Sequence, residues 1–219
     1  MLNVERKGQV LVATLDDGKA NALSHALIDA LRGAVAEAEA DPEVRALAIV
    51  GRPGRFSAGF DLSVIQSGDP NAVARLIADG GDLVRTVYAA GVPVVAACTG
   101  HALAAGALLL LACDRRIGAD AEVKIGLNEV AIGLALPRWA VALAAARLAP
   151  THLQASVATG QLYNGKSAVA AGYLDRVVEP DQVVEAALQE AAELASTLDL
   201  ASYALTIKAL RRGTIELMS

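Results

Sequence analysis

Apolar and polar residues follow two different spacings along this chain, and each spacing predicts a type of element. Two short segments near the N-terminus, Leu2–Arg6 and Val10–Leu15, are β-rich, and Lys7-Gly8 between them favours a hairpin turn. After Ser24, which can cap a helix, apolar side chains recur every three or four positions, at Leu27, Ile28, Leu31, Val35 and Ala38. We therefore predict a strand pair followed by an amphipathic helix.

The middle of the chain continues this alternation. Val44–Val50 is a nearly continuous apolar run, typical of a strand covered on both faces, and Val94–Cys98 is also predicted to be a strand. Asn71–Ala90 between them has helical spacing, and Gly106–Ala112 is a predicted helix without a polar face. Strands that alternate with helices indicate crossover connections and a parallel sheet, so we predict an α/β fold.

The remaining segments carry weaker patterns. We predict two loops, Gly51–Gly59 and Gly100–Ala105, and three short strands, Arg115–Ile117, Glu122–Ile125 and Arg176–Val178. Helical spacing dominates after Pro137. There is no linker or repeat. We divide the chain where helical spacing begins to dominate, into a core, residues 1–150, and a helical C-terminal region, residues 151–219.

Charge and hydropathy argue against two classes of partner. The 219-residue chain has a formal net charge of −5, so no basic field favours nucleic acid. Val92–Cys113 lacks Asp, Glu, Lys and Arg and is long enough to span a bilayer. Pro93, Thr99 and His101 divide that segment, however, which favours a buried strand followed by a buried helix. We expect no membrane contact.

The cysteines and histidines add little chemistry. Cys98 and Cys113 lie in apolar runs and are typical of buried free thiols, so we expect a cytoplasmic protein. The start of the chain lacks the basic and apolar regions of a signal peptide. The three histidines are far apart, so no metal site is predicted. Serine-hydrolase, phosphate-loop and dinucleotide-binding motifs are absent.

Two glycine-containing segments have the composition of ligand-binding backbone. Small residues in Phe56–Leu62 let a ligand approach the main chain, and Asp61 can cap a following helix; an ordinary capped turn has the same composition. Gly100–Gly106 precedes a buried helix and presents free N–H groups at its positive end, an arrangement suited to an oxyanion. Close packing of a helix on a sheet explains these residues equally well.

A third segment carries an acid in apolar surroundings. Glu129 lies in the run Val123–Pro137, which is otherwise interrupted only by Lys124 and Asn128. A carboxyl held there would have a raised pKa, which suits a general base near neutral pH. Most glutamates are solvated surface charges, so this residue alone decides nothing.

Taken together and in order, the three segments resemble the crotonase (enoyl-CoA hydratase/isomerase) superfamily. Thr159-Gly160 and the stretch Ala168–Val178 are also similar to that family. The resemblance implies a spiral of ββα turns that forms two nearly perpendicular sheets, with the acyl-CoA site in residues 1–150. It also implies that residues 151–219 form a helical trimerisation region.

The resemblance also implies which residues bind an acyl-CoA thioester. The thioester oxygen would accept hydrogen bonds from the backbone N–H groups of Phe60 and Ala105. The adenine end of CoA would lie along the main chain of Ala58, Gly59, Phe60, Asp61 and Leu62, with Lys19 and Ala20 nearby. CoA would enter as part of the substrate, so no separate cofactor is expected.

The reaction depends on a departure from the family pattern. Hydratases of the family place a catalytic glutamate where this chain has Leu108, whereas Glu129 matches their second glutamate. We expect Leu108 and Asn128 to contact substrate and Glu129 to act as the base. The stretch around Asn128-Glu129, with Trp139, is closer to Δ3,Δ2-enoyl-CoA isomerases, which need one base. The alternatives are an enoyl-CoA hydratase, another crotonase reaction, or a non-catalytic acyl-CoA binder.

The C-terminal pattern predicts two further amphipathic helices. The first has apolar residues at helical spacing, at Val183, Val184, Ala187, Leu188, Ala191 and Leu194. The resemblance implies that neighbouring subunits cover such faces in a homotrimer or a dimer of trimers. Alternatively, the helices fold back onto their own core. In the second helix Lys208, Arg211 and Arg212 form a predicted basic cluster that would either meet CoA phosphates or stay solvated.

Overall fold

The computed structural model describes all 219 residues and contains nine strands and nine α-helices. The strands are β1 (Leu2–Lys7), β2 (Val10–Leu15), β3 (Ala46–Val50), β4 (Gly54–Ser57), β5 (Val94–Cys98), β6 (Gly100–Leu103), β7 (Arg115–Ala119), β8 (Ile125–Gly126) and β9 (Arg176–Val178). The helices are α1 (His25–Ala40), α2 (Leu62–Ile65), α3 (Pro70–Tyr88), α4 (Ala105–Ala112), α5 (Arg138–Arg147), α6 (Pro150–Ala158), α7 (Gly165–Ala171), α8 (Val183–Thr197) and α9 (Leu200–Leu217).

The larger sheet has the strand order β1-β2-β3-β5-β7-β9. Only the β1–β2 hairpin is antiparallel, and its turn lies at Gly8-Gln9, one residue later than predicted. The other neighbours are parallel because helices connect them, which confirms the α/β class. Strand β3 is buried along its whole length, as its continuous apolar run predicts.

The smaller sheet consists of the parallel strands β4, β6 and β8. The prediction of loops over Gly51–Gly59 and Gly100–Ala105 is therefore wrong where β4 and β6 form, and the strand expected at Glu122–Ile125 is limited to Ile125–Gly126. The glycines that suggested loops serve close strand approach instead. A Cβ added to Gly100 would lie 1.9 Å from the carbonyl carbon of Gly54, so only glycine fits there.

Two hydrophobic cores cover both faces of the larger sheet. Helices α1, α3 and α4 contribute to the main core, and the Ser24 side chain caps α1 at Leu27 N as predicted. On the other face α8 packs against β2, β3, β5 and β7 through Val183, Ala187, Ala191 and Ala195. The first predicted C-terminal helix is thus covered by its own chain, and β9 of the same region completes the sheet.

Helix α9 is held by a buried ion pair. The Arg211 guanidinium donates to Asp114 Oδ1 at 2.5 Å and to the Tyr88 carbonyl at 2.6 Å, and the Tyr203 hydroxyl donates to Asp114 Oδ2 at 2.9 Å. Arg211 is only 4% exposed. The predicted basic cluster is therefore wrong, because Arg211 lies in the interior and Arg212 pairs with Glu216.

The apolar stretch Val92–Cys113 is divided among β5, β6 and α4. Helix α4 is buried at every position, but it is only eight residues long. None of the helices combines the length and the apolarity needed to cross a membrane.

Candidate active site

The smaller sheet brings the three candidate segments to one edge. Strands β4, β6 and β8 run in parallel, so the residues that follow their carboxyl ends lie side by side. Two backbone hydrogen bonds hold the last pair in register: Ala102 N–H to the Lys124 carbonyl and Ala104 N–H to the Gly126 carbonyl, both 3.0 Å. Residues near positions 60, 105 and 129 thereby become neighbours.

The first segment turns at Gly59, whose φ of +92° favours glycine. A Cβ added at Gly59 would lie 3.0 Å from the Leu103 carbonyl oxygen and 3.4 Å from Ala105 N, so the first two segments touch here. Leu23 N–H donates to the Gly59 carbonyl, and Asp61 N–H donates to the Leu23 carbonyl. These bonds leave the Phe60 N–H between them without an acceptor in the chain.

The second segment presents another unpaired N–H group. Ala105 is the first residue of α4, and its N–H has no acceptor in the chain because the helix supplies none at this position. Ala104 before it has a φ of +51°, which costs a non-glycine residue roughly 1–3 kcal/mol. Two free backbone donors, Phe60 N–H and Ala105 N–H, thus lie on touching segments, as an oxyanion hole requires.

The third segment holds Glu129 in a short turn. Its backbone carbonyl accepts hydrogen bonds from Ile132 N–H at 3.0 Å and Leu134 N–H at 2.9 Å, and Gly133 ends the turn with a φ of +81°. Burial raises the pKa of the Glu129 carboxyl, although a hydrogen bond from its own backbone N–H opposes the shift. The carboxyl is thus adjusted toward the range of a general base.

Unpaired polar atoms are concentrated around this glutamate. Of the buried side-chain atoms that lack a hydrogen-bond partner, two lie on this segment, Asn128 Oδ1 and Glu129 Oε2, and another is Trp139 Nε1. Burial, with a smaller contribution from the Glu129 charge, raises the pKa of Tyr173, so Tyr173 and Glu129 are near each other. Each such atom costs about 1–3 kcal/mol, and folded proteins leave few of them. Their concentration indicates a site where stability yields to function.

The residues predicted along CoA are also brought together. Ala58 N–H donates to the Ala20 carbonyl at 3.0 Å, which places Lys19 and Ala20 beside the first segment. Asp61 caps α2 by accepting from Ser63 N–H at 2.9 Å, and Leu62 begins that helix with 59% of its surface exposed.

Sequence analysis missed the residue that anchors this loop. Asn21 is fully buried, and its Nδ2 donates to the Leu15 carbonyl at 2.9 Å and to the Phe56 carbonyl at 3.1 Å. Its φ of +53° is one that asparagine tolerates better than most residues. An asparagine three residues after the turn signal Asp16-Asp17-Gly18 was the available indication.

Leu108 and His101 have contacts that indicate structural roles. Leu108 lies in the main hydrophobic core with 1% of its surface exposed, so no second carboxyl faces Glu129 from this position. His101 Nδ1 accepts the Lys124 N–H at 2.8 Å, and burial together with Arg55 and Lys124 lowers the pKa of His101. This histidine supports the small sheet.

Residues 5–216 match the family model described as enoyl-CoA hydratase/isomerase. The chain belongs to this family. It is therefore an enzyme of the crotonase superfamily, with the two-sheet α/β fold that the sequence predicted.

Some relatives of this hydratase/isomerase family member are named hydratases, and others are named isomerases. A Thermus thermophilus protein provisionally named enoyl-CoA hydratase is 35% identical over 89% of this chain and 78% of its own length. A Mycobacterium tuberculosis protein has 35% identity and a TM-score of 0.93 in a structure that names it an enoyl-CoA isomerase, covering 99% of this chain and 93% of that one. A second structure of that protein names it a probable enoyl-CoA hydratase. Human mitochondrial Δ3-Δ2-enoyl-CoA isomerase has 28% identity and a TM-score of 0.93, covering 98% and 84%.

The raised pKa of Glu129 gives a pH-dependent prediction. Between the unfolded pKa, near 4.5, and the higher folded pKa, the folded chain binds more protons, so its stability falls as pH rises. Glu129→Gln removes the free-energy cost of holding an ionised carboxylate in this partly buried place. We expect the variant to be more stable than wild type at about pH 8 and equally stable at about pH 4, measured by urea unfolding.

Glu122→Gln is the matched control, because Glu122 is exposed and makes no ion pair. It should leave the free energy of unfolding unchanged at both pH values. Equal stability of wild type and Glu129→Gln at about pH 8 would contradict the buried carboxyl.

Proposed function

We propose that this enzyme moves the double bond of an enoyl-CoA from Δ3 to Δ2, with Glu129 as its single base. The proposal rests on one observation: the partly buried carboxyl of Glu129 lies on the segment beside two free backbone N–H groups, while the position that would supply a second carboxyl is Leu108 in the core. An allylic shift needs one group to remove and return a proton, whereas hydration by two carboxylates needs both.

The reaction proceeds in two proton transfers. The Phe60 and Ala105 N–H groups polarise the thioester carbonyl, and the Glu129 carboxylate removes a proton from C2. The electron pair moves onto the thioester oxygen, which gives a dienolate. Glu129 then returns the proton to C4, the C3–C4 double bond becomes C2–C3, and the carboxylate is regenerated. Burial raises the pKa of Glu129, which makes its carboxylate a stronger base for removal of the C2 proton.

The CoA part of the substrate is assigned to the joined backbone segments. The adenine end would lie along Ala58, Gly59 and Leu62 with Lys19 and Ala20 at its side, and the hydrogen bond between Ala58 and Ala20 supports that grouping. Asn128, whose Oδ1 is buried without a partner, would face the acyl part of the substrate.

The main alternative is hydration of a 2-enoyl-CoA, and the name of the Thermus thermophilus relative favours it. The isomerase name of the human structure favours the proposed reaction. The Mycobacterium tuberculosis protein is named an isomerase in one structure and a probable hydratase in another, so its name favours neither reaction. Leu108 weighs against hydration because its side chain neither orients nor activates water. A non-catalytic acyl-CoA binder would have no use for the costly burial of Glu129.

Glu129→Gln tests the base directly. The amide keeps the shape of the side chain but accepts no proton, so we expect isomerisation of 3-enoyl-CoA to fall about 10²–10⁴-fold while acyl-CoA affinity changes little. Glu122→Gln should keep the wild-type rate. A near-normal rate in Glu129→Gln would reject Glu129 as the base.

The two reactions are separated by supplying the two substrates in turn. Purified enzyme is incubated with 3-enoyl-CoA or with 2-enoyl-CoA, and the products are resolved by chromatography. We expect isomerisation to be much faster than hydration because only one carboxyl is present. A hydration rate equal to or above the isomerisation rate would favour the hydratase instead.

We also propose a homotrimer or a dimer of trimers, in which α9 helps to form the contact. Leu205 and Leu210 are 72% and 75% exposed on α9, more than any other large apolar residue of the chain except Met1, and a covering partner would bury them. Light scattering should give at least three times the 22.4 kDa chain mass, and Leu205→Glu should lower it. Gln189→Glu, an exposed change on α8, is the control. A single-chain mass for wild type would reject the assembly.

A further inference from the structure

Two consecutive glycines in the middle of α3 receive two aromatic rings. Gly80 and Gly81 are buried, although each glycine inside a helix costs about 0.5–1 kcal/mol relative to alanine. A Cβ added to Gly80 would lie 2.2 Å from Cε1 and 2.4 Å from Cζ of Phe60. A Cβ added to Gly81 would lie 2.9 Å from Nε1 and 3.0 Å from Cε2 of Trp139. The glycines therefore let both rings lie directly on the helix backbone.

One ring lies on the segment of the proposed oxyanion hole, and the other follows the segment of the proposed base. Phe60 carries one of the N–H groups assigned to the thioester oxygen, and Trp139 follows the Glu129 turn at the start of α5. An acyl chain whose carbonyl lies at Phe60 and whose C2 and C4 lie at Glu129 must continue past these rings. Glu129 Oε2 and Trp139 Nε1 are both closed to solvent, so little free space surrounds the reacting carbons.

A groove that is open to solvent lies between α2 and α3, near the Phe60 ring. It has a volume of about 400 Å³, and its apolar lining includes Ile65, Val73 and Ile77. Ile77 and Gly80 are three residues apart on α3 and so share one face of the helix. The Phe60 ring, which packs on Gly80, is therefore about one helical turn from the groove.

From this arrangement we infer that Phe60 and Trp139 limit the acyl chain and make the enzyme selective for short-chain acyl-CoA thioesters. The inference rests on the proposed placement of the thioester at Phe60 and Ala105. A longer chain must displace a ring that is packed against helix backbone. Removal of the Phe60 ring would free the space over Gly80, on the same face of α3 as the groove, while the Phe60 N–H stays in place.

Binding of saturated thioesters tests the chain-length limit without requiring turnover. Calorimetry with butanoyl-CoA and dodecanoyl-CoA should show that wild type binds the longer thioester about ten- to a hundredfold more weakly, as overpacking implies. Phe60→Ala and Trp139→Ala should reduce or reverse this ratio. The milder Phe60→Leu and Trp139→Phe should do so in part, which covers the case that an alanine variant fails to fold. Val4→Ala, a truncation on the edge strand β1, should leave the ratio unchanged.

Each result separates the inference from the proposed function. Equal binding of the two thioesters by wild type would overturn the chain-length limit and leave the isomerase proposal intact. A wild-type preference that all four aromatic variants retain would also overturn it, because selectivity would then arise elsewhere. Failure to bind either thioester would reject the acyl-CoA site itself, and the inference with it.

Discussion

The close pairing of β4 with β6 is the constraint on which the site depends. Gly100 lies so near the Gly54 carbonyl that any side chain would force the strands apart. Gly106, the second residue of α4, is constrained in the same way, because a Cβ there would lie 2.4 Å from the Ser57 carbonyl oxygen. With both contacts in place, the start of α4 touches the end of β4, and Phe60 N–H and Ala105 N–H become neighbours. Their separation is thus set by backbone packing and does not depend on side-chain rotamers.

The site opposes folding in two of its segments. A positive φ at Ala104 and the unpaired buried atoms Asn128 Oδ1 and Glu129 Oε2 each cost stability. Stability is recovered elsewhere, in a larger sheet that is covered on both faces and in an α9 held by the Arg211–Asp114 pair. Removing one partner of such a buried pair would leave an uncompensated charge, so α9 is anchored at that point.

The sequence predicted the regular elements well because their periodicity reflects burial. The apolar run in Val44–Val50 and the cap at Ser24 are local signals, and both elements formed where expected. The family resemblance implied a second sheet, but residue patterns did not predict β4 and β6, because these strands are short and glycine serves there for close approach rather than for a turn. The order of the three segments identified the family and grouped Phe60, Ala105 and Glu129. The contacts of Gly80 and Gly81 were invisible, since each depends on a ring distant in sequence.

The division of labour between backbone and side chains explains why the family name covers more than one reaction. Both proposed oxyanion donors are main-chain N–H groups, so the residues at positions 60 and 105 could change without loss of carbonyl polarisation. In the proposed mechanism the proton chemistry, in contrast, belongs to side chains, at positions 108 and 129. A carboxyl at one position or at both selects between proton shuttling and water addition on the same scaffold. Overall similarity to relatives therefore does not distinguish isomerisation from hydration. In this chain Leu108 is buried in the core and Glu129 is the one carboxyl assigned to the site, which favours isomerisation.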